Sequence, residues 1–198
     1  MHTSISALDI YPNVRTLLGM IVGLALAHML TQFARIIEFN RWRKLYWPHM
    51  AWAAFMLVYI IHFWWWQVRL SMLPTWTFGA FAFIVFYALL VFLACTVVLP
   101  ASLSDGRIED DQSHYYARRG WFFGLVAAIY VVDVFDTLLK GSAFMASLGT
   151  EYYLRNAAYV LLALIATRTR NARYHQAFAL AAFAYQLTWI VRRYEVFG

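Results

Sequence analysis

Residues 76–99 read WTFGAFAFIVFYALLVFLACTVVL, a run of 24 residues without Asp, Glu, Lys or Arg. About 20 apolar residues in a helix suffice to cross the hydrocarbon core of a bilayer, so this run predicts a membrane-spanning helix. The whole chain of 198 residues is 63% hydrophobic and only 13% charged, whereas soluble domains are roughly 45–50% apolar and about 25% charged. The sequence therefore predicts an integral membrane protein.

Five further apolar stretches follow the same pattern. Together they predict six spans near residues 16–34, 50–66, 76–99, 121–139, 152–167 and 176–191. Pro48, Pro74 and Pro100 lie at span edges, where a helix begins or has just ended. We therefore expect an all-α integral membrane protein with six transmembrane helices, forming one domain over residues 1–198.

The chain is basic, with 16 Lys and Arg against 10 Asp and Glu and a net charge of +6. In a membrane protein this surplus indicates orientation rather than a nucleic-acid partner, because Lys and Arg concentrate in cytoplasmic connections. Connections one, three and five hold ten of them, namely Arg35, Arg41, Arg43, Lys44, Arg107, Arg118, Arg119, Arg168, Arg170 and Arg173. We expect both termini outside the cytoplasm, in a bacterial inner (plasma) membrane whose lipid bilayer is the main partner.

The two halves of the chain resemble each other in order. A stripe of small residues recurs at an offset of 101, residues 53–61 recur at an offset of 104, and residues 80–90 at an offset of 97. Since each half holds three helices, the second half would be inverted, as in many secondary transporters. The pattern predicts a 3+3 inverted-topology repeat, with chance recurrence of Ala, Gly, Leu and Phe as the alternative.

The small-residue stripes also have a packing interpretation. They consist of Gly19, Gly23 and Ala27 in the first span and of Gly120, Gly124 and Ala128 in the fourth. Small residues on one helix face let two backbones approach closely. Either the first and fourth helices pack against each other, or one stripe forms the seam of a homo-oligomer.

Ionisable side chains are few within the spans, and each is a candidate site residue because charge in hydrocarbon is costly. His62, Asp133 and Arg155 each lie 12 residues from the expected cytoplasmic end of their span, about 18 Å deep at 1.5 Å per residue. Tyr87 and Gln186 reach nearly the same depth. The sequence therefore predicts a polar layer that serves as an ion or solute pathway.

Asp133 is the leading candidate in this layer. Tyr130, Asp133 and Thr137 follow i, i+3, i+7 spacing, which gives the fourth span one polar face. A carboxylate at this depth must meet a cation, which His62 or Arg155 could supply, or take up a proton. The alternative is a buried clamp that only holds the helices together.

Three further residues are secondary candidates for the pathway. His28 precedes Gln32 by four residues, a spacing that suits a hydrogen-bonded polar patch near the cytoplasmic end of the first span. Asp136 precedes Lys140 by four residues, and we expect an ordinary exposed ion pair between them.

Paired histidines raise a haem b or quinone site as an alternative, since two imidazoles can ligate b-type haem. His28 is predicted to lie about 10 Å deep and His62 about 18 Å deep, whereas axial ligands should meet the iron at similar depth. We therefore expect no cofactor. His49 and His175 lie near span starts, where we expect them to be hydrated.

Two other features have a structural and a functional interpretation. Asp111 and His114 in the third connection could ligate a metal if that segment were helical, but we expect a solvated acidic loop and no metal. The run Trp64-Trp65-Trp66 is typical of an aromatic belt at the membrane interface, with a ligand cage as the alternative.

No catalytic motif stands out in the sequence, so an enzyme is not the expected class. The polar layer and the possible repeat favour a transporter or channel for a small ion or solute, protons included. A membrane oxidoreductase or cofactor-binding subunit is the first alternative. A structural or partner-binding membrane subunit is the second.

The charge bias predicts the accessibility of engineered cysteines. In a Cys95→Ala background, cysteines at residues 2 and 198 should react with an impermeant maleimide in intact cells, whereas Ser104→Cys should be protected. Labelling only at Ser104→Cys would reverse the assigned orientation.

Overall fold

The computed structural model describes residues 7–40, 45–104 and 110–194. Eight helices are formed by these residues: α1 (Ala7–Glu38), α2 (Trp47–Trp66), α3 (Phe78–Val98), α4 (Ala101–Ser104), α5 (Asp111–Leu139), α6 (Ser142–Ser147), α7 (Gly149–Arg168) and α8 (Ala172–Tyr194). A 3-10 helix, Gln67–Met72, continues α2. The expected all-α class is confirmed for the described part of the chain.

Four of the predicted spans correspond to helices with the length and composition to cross a membrane. These stretches are Ile10–Glu38, Trp47–Met72, Phe78–Leu103 and Asp111–Leu139. The fifth and sixth predicted spans correspond to α7 and α8, which are helical but less apolar. The predicted orientation stays untested, since both chain ends and Arg41, Arg43, Lys44 and Arg107 lie outside the described residues.

The third connection is shorter than the sequence indicates. Helix α5 begins at Asp111, ten residues before the predicted span. Asp110 caps this helix, because its carboxylate accepts hydrogen bonds from the backbone N–H of Ser113 at 3.1 Å and from its hydroxyl at 2.6 Å. These hydrogen bonds lower the pKa of Asp110. The expectation of a wholly irregular acidic loop was wrong for residues 111–120.

Helix α5 is central to the bundle. It packs against α7 on one side and α3 on the other, while α1 packs against α3 and α2, and α2 packs against α8. His49 on α2, Val98 on α3 and Asp111 on α5 meet at one end of the bundle, whereas Asp136 and Lys140 lie at the opposite end of α5. We call these the His49 end and the Lys140 end.

Aromatic side chains fill the core between the His49 end and the middle of the bundle. Trp52 is fully buried and makes edge-on contacts with Phe55, Phe122, Phe123 and Phe178 at ring-centroid distances of 4.9–5.5 Å. Edge-to-face geometry at such distances is favourable for aromatic pairs. The cluster adjoins the rings of Tyr115 and His175, which contact Phe123.

The inverted repeat is not confirmed by the helix packing. In the first half, α1 packs against both α2 and α3. In the second half, the equivalent helix α5 packs extensively against α7, but α5 and α8 make few contacts. The two halves therefore differ in their internal contacts, and the repeat stays a prediction.

The small-residue stripes are not used for close packing of α1 against α5. A Cβ atom added at Gly23, Gly120 or Gly124 would meet nothing within 4 Å, and only Gly19 lies against a side chain, that of Trp64. The expectation of close internal packing along these stripes was wrong, because α3 lies where α1 and α5 could have met. The homo-oligomer seam stays a prediction.

Trp52→Ala should destabilise the bundle, because it leaves a cavity among the four rings that contact Trp52. We expect a loss of roughly 3–5 kcal/mol, the usual cost of truncating a buried aromatic side chain, measured by unfolding in detergent. Trp121→Ala is the matched control, because Trp121 is largely exposed on the same bundle. Equal effects of the two substitutions would contradict the assigned core.

Candidate polar site within the bundle

Asp133 lies on α5 in the interior of the bundle. Its carboxylate accepts hydrogen bonds from the Tyr87 hydroxyl at 3.1 Å, the Tyr152 hydroxyl at 2.9 Å and the Asn156 amide at 3.2 Å. These donors come from α3 and α7, the two helices that flank α5. Because a buried carboxylate loses its hydration, each donor offsets part of that cost.

Arg155 supplies the charge that balances Asp133. Its Nη2 atom lies 3.5 Å from Asp133 Oδ2, and the side chains of both residues are more than nine-tenths buried. The same Nη2 donates to Asn156 Oδ1 at 3.2 Å, and the guanidinium stacks over the Trp189 ring at 4.4 Å. The Nη1 atom has no hydrogen-bond partner among the described residues. The Arg155 guanidinium is therefore fixed in place by its neighbours, but not all of its N–H donors are used.

Tyrosine hydroxyls extend the polar site toward α2. The hydroxyls of Tyr59 and Tyr87 lie 2.9 Å apart. Since the single proton of Tyr87 goes to Asp133, the Tyr59 hydroxyl must donate to Tyr87. A chain of donors therefore runs from Tyr59 through Tyr87 to Asp133. Tyr130 lines the same space and stacks on Tyr159 with ring centroids 4.1 Å apart.

A second polar cluster joins α2 to α8. The Gln186 amide nitrogen lies 3.3 Å from His62 Nδ1, and His62 Nε2 lies 3.3 Å from the Tyr194 hydroxyl. With the amide oriented in this way, Nδ1 accepts and Nε2 carries the proton, so His62 is neutral. His62 thus contacts Gln186 rather than Asp133.

The predicted layer is brought together in two adjoining parts. Four of its residues meet around the ion pair, namely Asp133, Arg155, Tyr87 and Tyr130, and two form the cluster on α8, namely His62 and Gln186. His28 lies apart from both, because its Nε2 atom bonds to the Leu99 carbonyl at 2.9 Å near the His49 end. Gln32, one turn farther along α1, is buried there. His28 and His62 therefore do not face one another as two haem ligands would.

Asp136 and Lys140 form the expected i, i+4 pair, at 2.6 Å, but both side chains are fully buried. The expectation of an exposed pair was wrong. The ring of Trp66 lies 5.2 Å from Lys140 Nζ, and the 3-10 helix after α2 also covers this end of the bundle. Trp66 is itself buried, so only the outer part of the tryptophan run fits an aromatic belt.

His49 and His175 are buried rather than hydrated, which corrects a second expectation. His49 Nδ1 lies 2.6 Å from Asp111 Oδ1, and His49 Nε2 lies 2.6 Å from the Val98 carbonyl. Both ring nitrogens of His49 therefore have hydrogen-bond partners inside the bundle. Asp111 also accepts from the backbone N–H of Tyr46. It therefore ties α2 and the residue before it to α5.

Sequence reasoning missed three residues that complete the site, namely Tyr152, Asn156 and Trp189. The signal for two of them was available, because Tyr152, Asn156 and Tyr159 follow i, i+4, i+7 spacing on α7 and share one face. Trp189 gave no signal, since an aromatic residue near a span end is usually assigned to the interface.

Two grooves flank α8. One, of about 380 Å³, lies between α7 and α8 and reaches Arg155. The other, of about 430 Å³, lies between α2 and α8 and reaches His62 and Tyr194. Pockets that bind small molecules span roughly 300–1,000 Å³, so both grooves are large enough for a ligand. Helix α8 is the element that separates the two polar clusters from the surface.

The buried pair at the Lys140 end predicts a double-mutant result. Asp136→Asn leaves Lys140 buried without a counter-charge and should cost roughly 3–5 kcal/mol of unfolding free energy. Adding Lys140→Met to it should recover most of that loss, because two neutral groups need no compensation. Additive losses in the double variant, measured by unfolding in detergent, would contradict the pairing.

Nothing matches the chain among family models, among curated proteins or among solved structures. Within the described ranges, no group of three or more His, Cys, Asp or Glu side chains is placed to hold a metal ion. The functional argument therefore rests on the buried ion pair and on the two grooves beside α8.

Proposed function

We propose that the protein is a small membrane carrier that moves a proton together with a small solute, with Asp133 as the proton-binding group. The observation that carries this proposal is the buried pair of Asp133 and Arg155, linked to hydroxyl donors on three helices. A membrane protein retains an intramembrane ion pair at considerable cost, and such pairs are typical of proton and substrate pathways.

The proposal includes six spanning helices. Helix α7 has 20 residues and α8 has 23, which correspond to about 30 Å and about 35 Å of helix. Their outward faces carry exposed apolar side chains, among them Leu161, Ile165, Leu180 and Val191. Their mean hydropathy is lowered by exposed charges near the helix ends, such as Glu151 and Arg193, as well as by inward polar groups such as Gln186. Lipid would therefore meet an apolar surface on both helices.

Access to the ion pair differs between the two halves of the bundle. Toward the His49 end, the aromatic cluster around Trp52 closes the interior. Toward the side, the groove between α7 and α8 reaches Arg155. A carrier must expose its site to one side at a time. Movement of α8, which makes few contacts with α5 and α7, is the simplest way to change that access.

The orientation by charge places the His49 end at the cytoplasmic face. In that arrangement the ion pair is open laterally and closed toward the cytoplasm.

Asp133→Asn should abolish proton flux while leaving the protein folded, since Asn keeps the size and an acceptor but cannot exchange the proton. Flux is measured with the purified protein in liposomes that carry an imposed pH gradient and an internal pH-sensitive dye. Glu151→Gln is the matched control, because Glu151 is an exposed carboxylate at the end of α7 and its loss should not change flux.

Asp133→Asn leaves the buried Arg155 without a counter-charge, so it should also lower the unfolding free energy, by roughly 3–5 kcal/mol, and folding is measured in parallel. A clamp without a transport role predicts that the folded variant keeps its flux. A folded variant with unchanged flux would remove Asp133 from the mechanism and contradict the proposal.

A further inference from the structure

The groove between α7 and α8 has closed ends and an apolar wall. At the Lys140 end, the Tyr185 hydroxyl donates to Glu151 at 2.7 Å. At the His49 end, the Tyr174 hydroxyl donates to the Leu162 carbonyl at 2.6 Å. Between these bridges lie apolar side chains, including Ala158 and Ala181. The groove is therefore a bounded slot rather than a continuous furrow along the protein.

Arg155 is the single cation among the residues that line this slot. Its Nη1 atom is buried and has no hydrogen-bond partner among the described residues. An unsatisfied buried donor costs free energy that an incoming acceptor would recover. The other charged lining residue, Glu151, is paired with Arg192 at 3.2 Å and accepts a hydrogen bond from Tyr185. Arg155 is therefore the cation that a ligand in the slot would meet beside the apolar wall, and a small shift of the guanidinium would bring the buried Nη1 atom to the ligand.

We propose that this slot binds a single-chain carboxylate amphiphile, with its carboxylate on Arg155 and its chain along the apolar wall toward Leu162. A guanidinium matches a carboxylate in geometry and charge. The stretch from Arg155 to Leu162 covers seven residues, about 10 Å of helix, which suits one chain of medium length. Binding of this amphiphile does not depend on the proposed carrier function. That it is the transported solute does depend on it.

Charge balance links the amphiphile to the proton. A ligand carboxylate on Arg155 adds one negative charge to a site where Asp133 and Arg155 already neutralise each other. If Asp133 takes up one proton as the ligand binds, the site remains neutral, and net charge in hydrocarbon is avoided. No covalent bond forms or breaks, and the carboxylate leaves with the proton released from Asp133.

The chemistry of the slot disfavours other occupants. A cationic amphiphile would meet Arg155 with the wrong charge, and a neutral alcohol would gain no ion pair there. A phospholipid carries two long tails, whereas the slot is closed at both ends by tyrosine bridges. These molecules are therefore the comparison probes.

The test measures equilibrium binding of radiolabelled octanoate to the full chain in lipid nanodiscs, with empty nanodiscs as background and octanol and octyltrimethylammonium as comparison probes. Octanoate should bind in preference to both. Ala158→Leu, which fills the slot, should weaken octanoate binding roughly tenfold or more. Ala157→Leu is the matched control, because Ala157 is exposed beside the slot but does not line it, and its binding should be unchanged.

Arg155→Lys provides a second variant that keeps the positive charge but loses the forked geometry, and it should weaken octanoate binding without abolishing it. Three outcomes would each overturn the inference. Octanol could bind as well as octanoate, added phospholipid alone could displace octanoate, or Ala158→Leu and Ala157→Leu could have equal effects. Octanoate binding without proton flux would leave the slot in place and reject the carrier function. Proton flux that depends on Asp133, without octanoate binding, would support the carrier function and reject the octanoate site.

Discussion

Asp133 and Arg155 lie side by side in an interior where no bulk water hydrates them, and this constraint organises the centre of the bundle. Removing two charges from water costs several kcal/mol for each ion, and the attraction between them repays it only when other hydrogen bonds are supplied. Tyr87 and Asn156 supply such bonds from α3 and α7. The same contacts therefore hold three helices together and define the polar site.

The pairing of Asp133 with Arg155 is longer than that of Asp136 with Lys140. The distance of 3.5 Å between Arg155 Nη2 and Asp133 Oδ2 is long for a charge-assisted hydrogen bond, and Arg155 Nη1 has no hydrogen-bond partner in the described part of the chain. By contrast, the pair of Asp136 and Lys140 is short and fully enclosed. Two ion pairs one helical turn apart thus differ in kind: one closes an end of the bundle, and the other lies beneath a groove.

The sequence predicted the all-α class and the four long apolar helices, and it singled out polar side chains that the structure brings together in two clusters. It could do so because helical rise alone places His62, Asp133 and Arg155 at one depth. Depth does not determine which helices are neighbours, so the partnership of His62 with Gln186, rather than with Asp133, could not be predicted. The burial of His49 and of Lys140 was missed for a similar reason, since the residues that cover them come from distant parts of the chain.

An infrared difference spectrum of Asp133 would test the central claim that this carboxylate exchanges a proton. When the purified protein in nanodiscs is taken from high to low pH, a protonated-carboxyl band should appear that is absent from Asp133→Asn and retained in Glu151→Gln. A spectrum in which the band is the same in all three proteins would show that Asp133 stays ionised, and it would contradict the account.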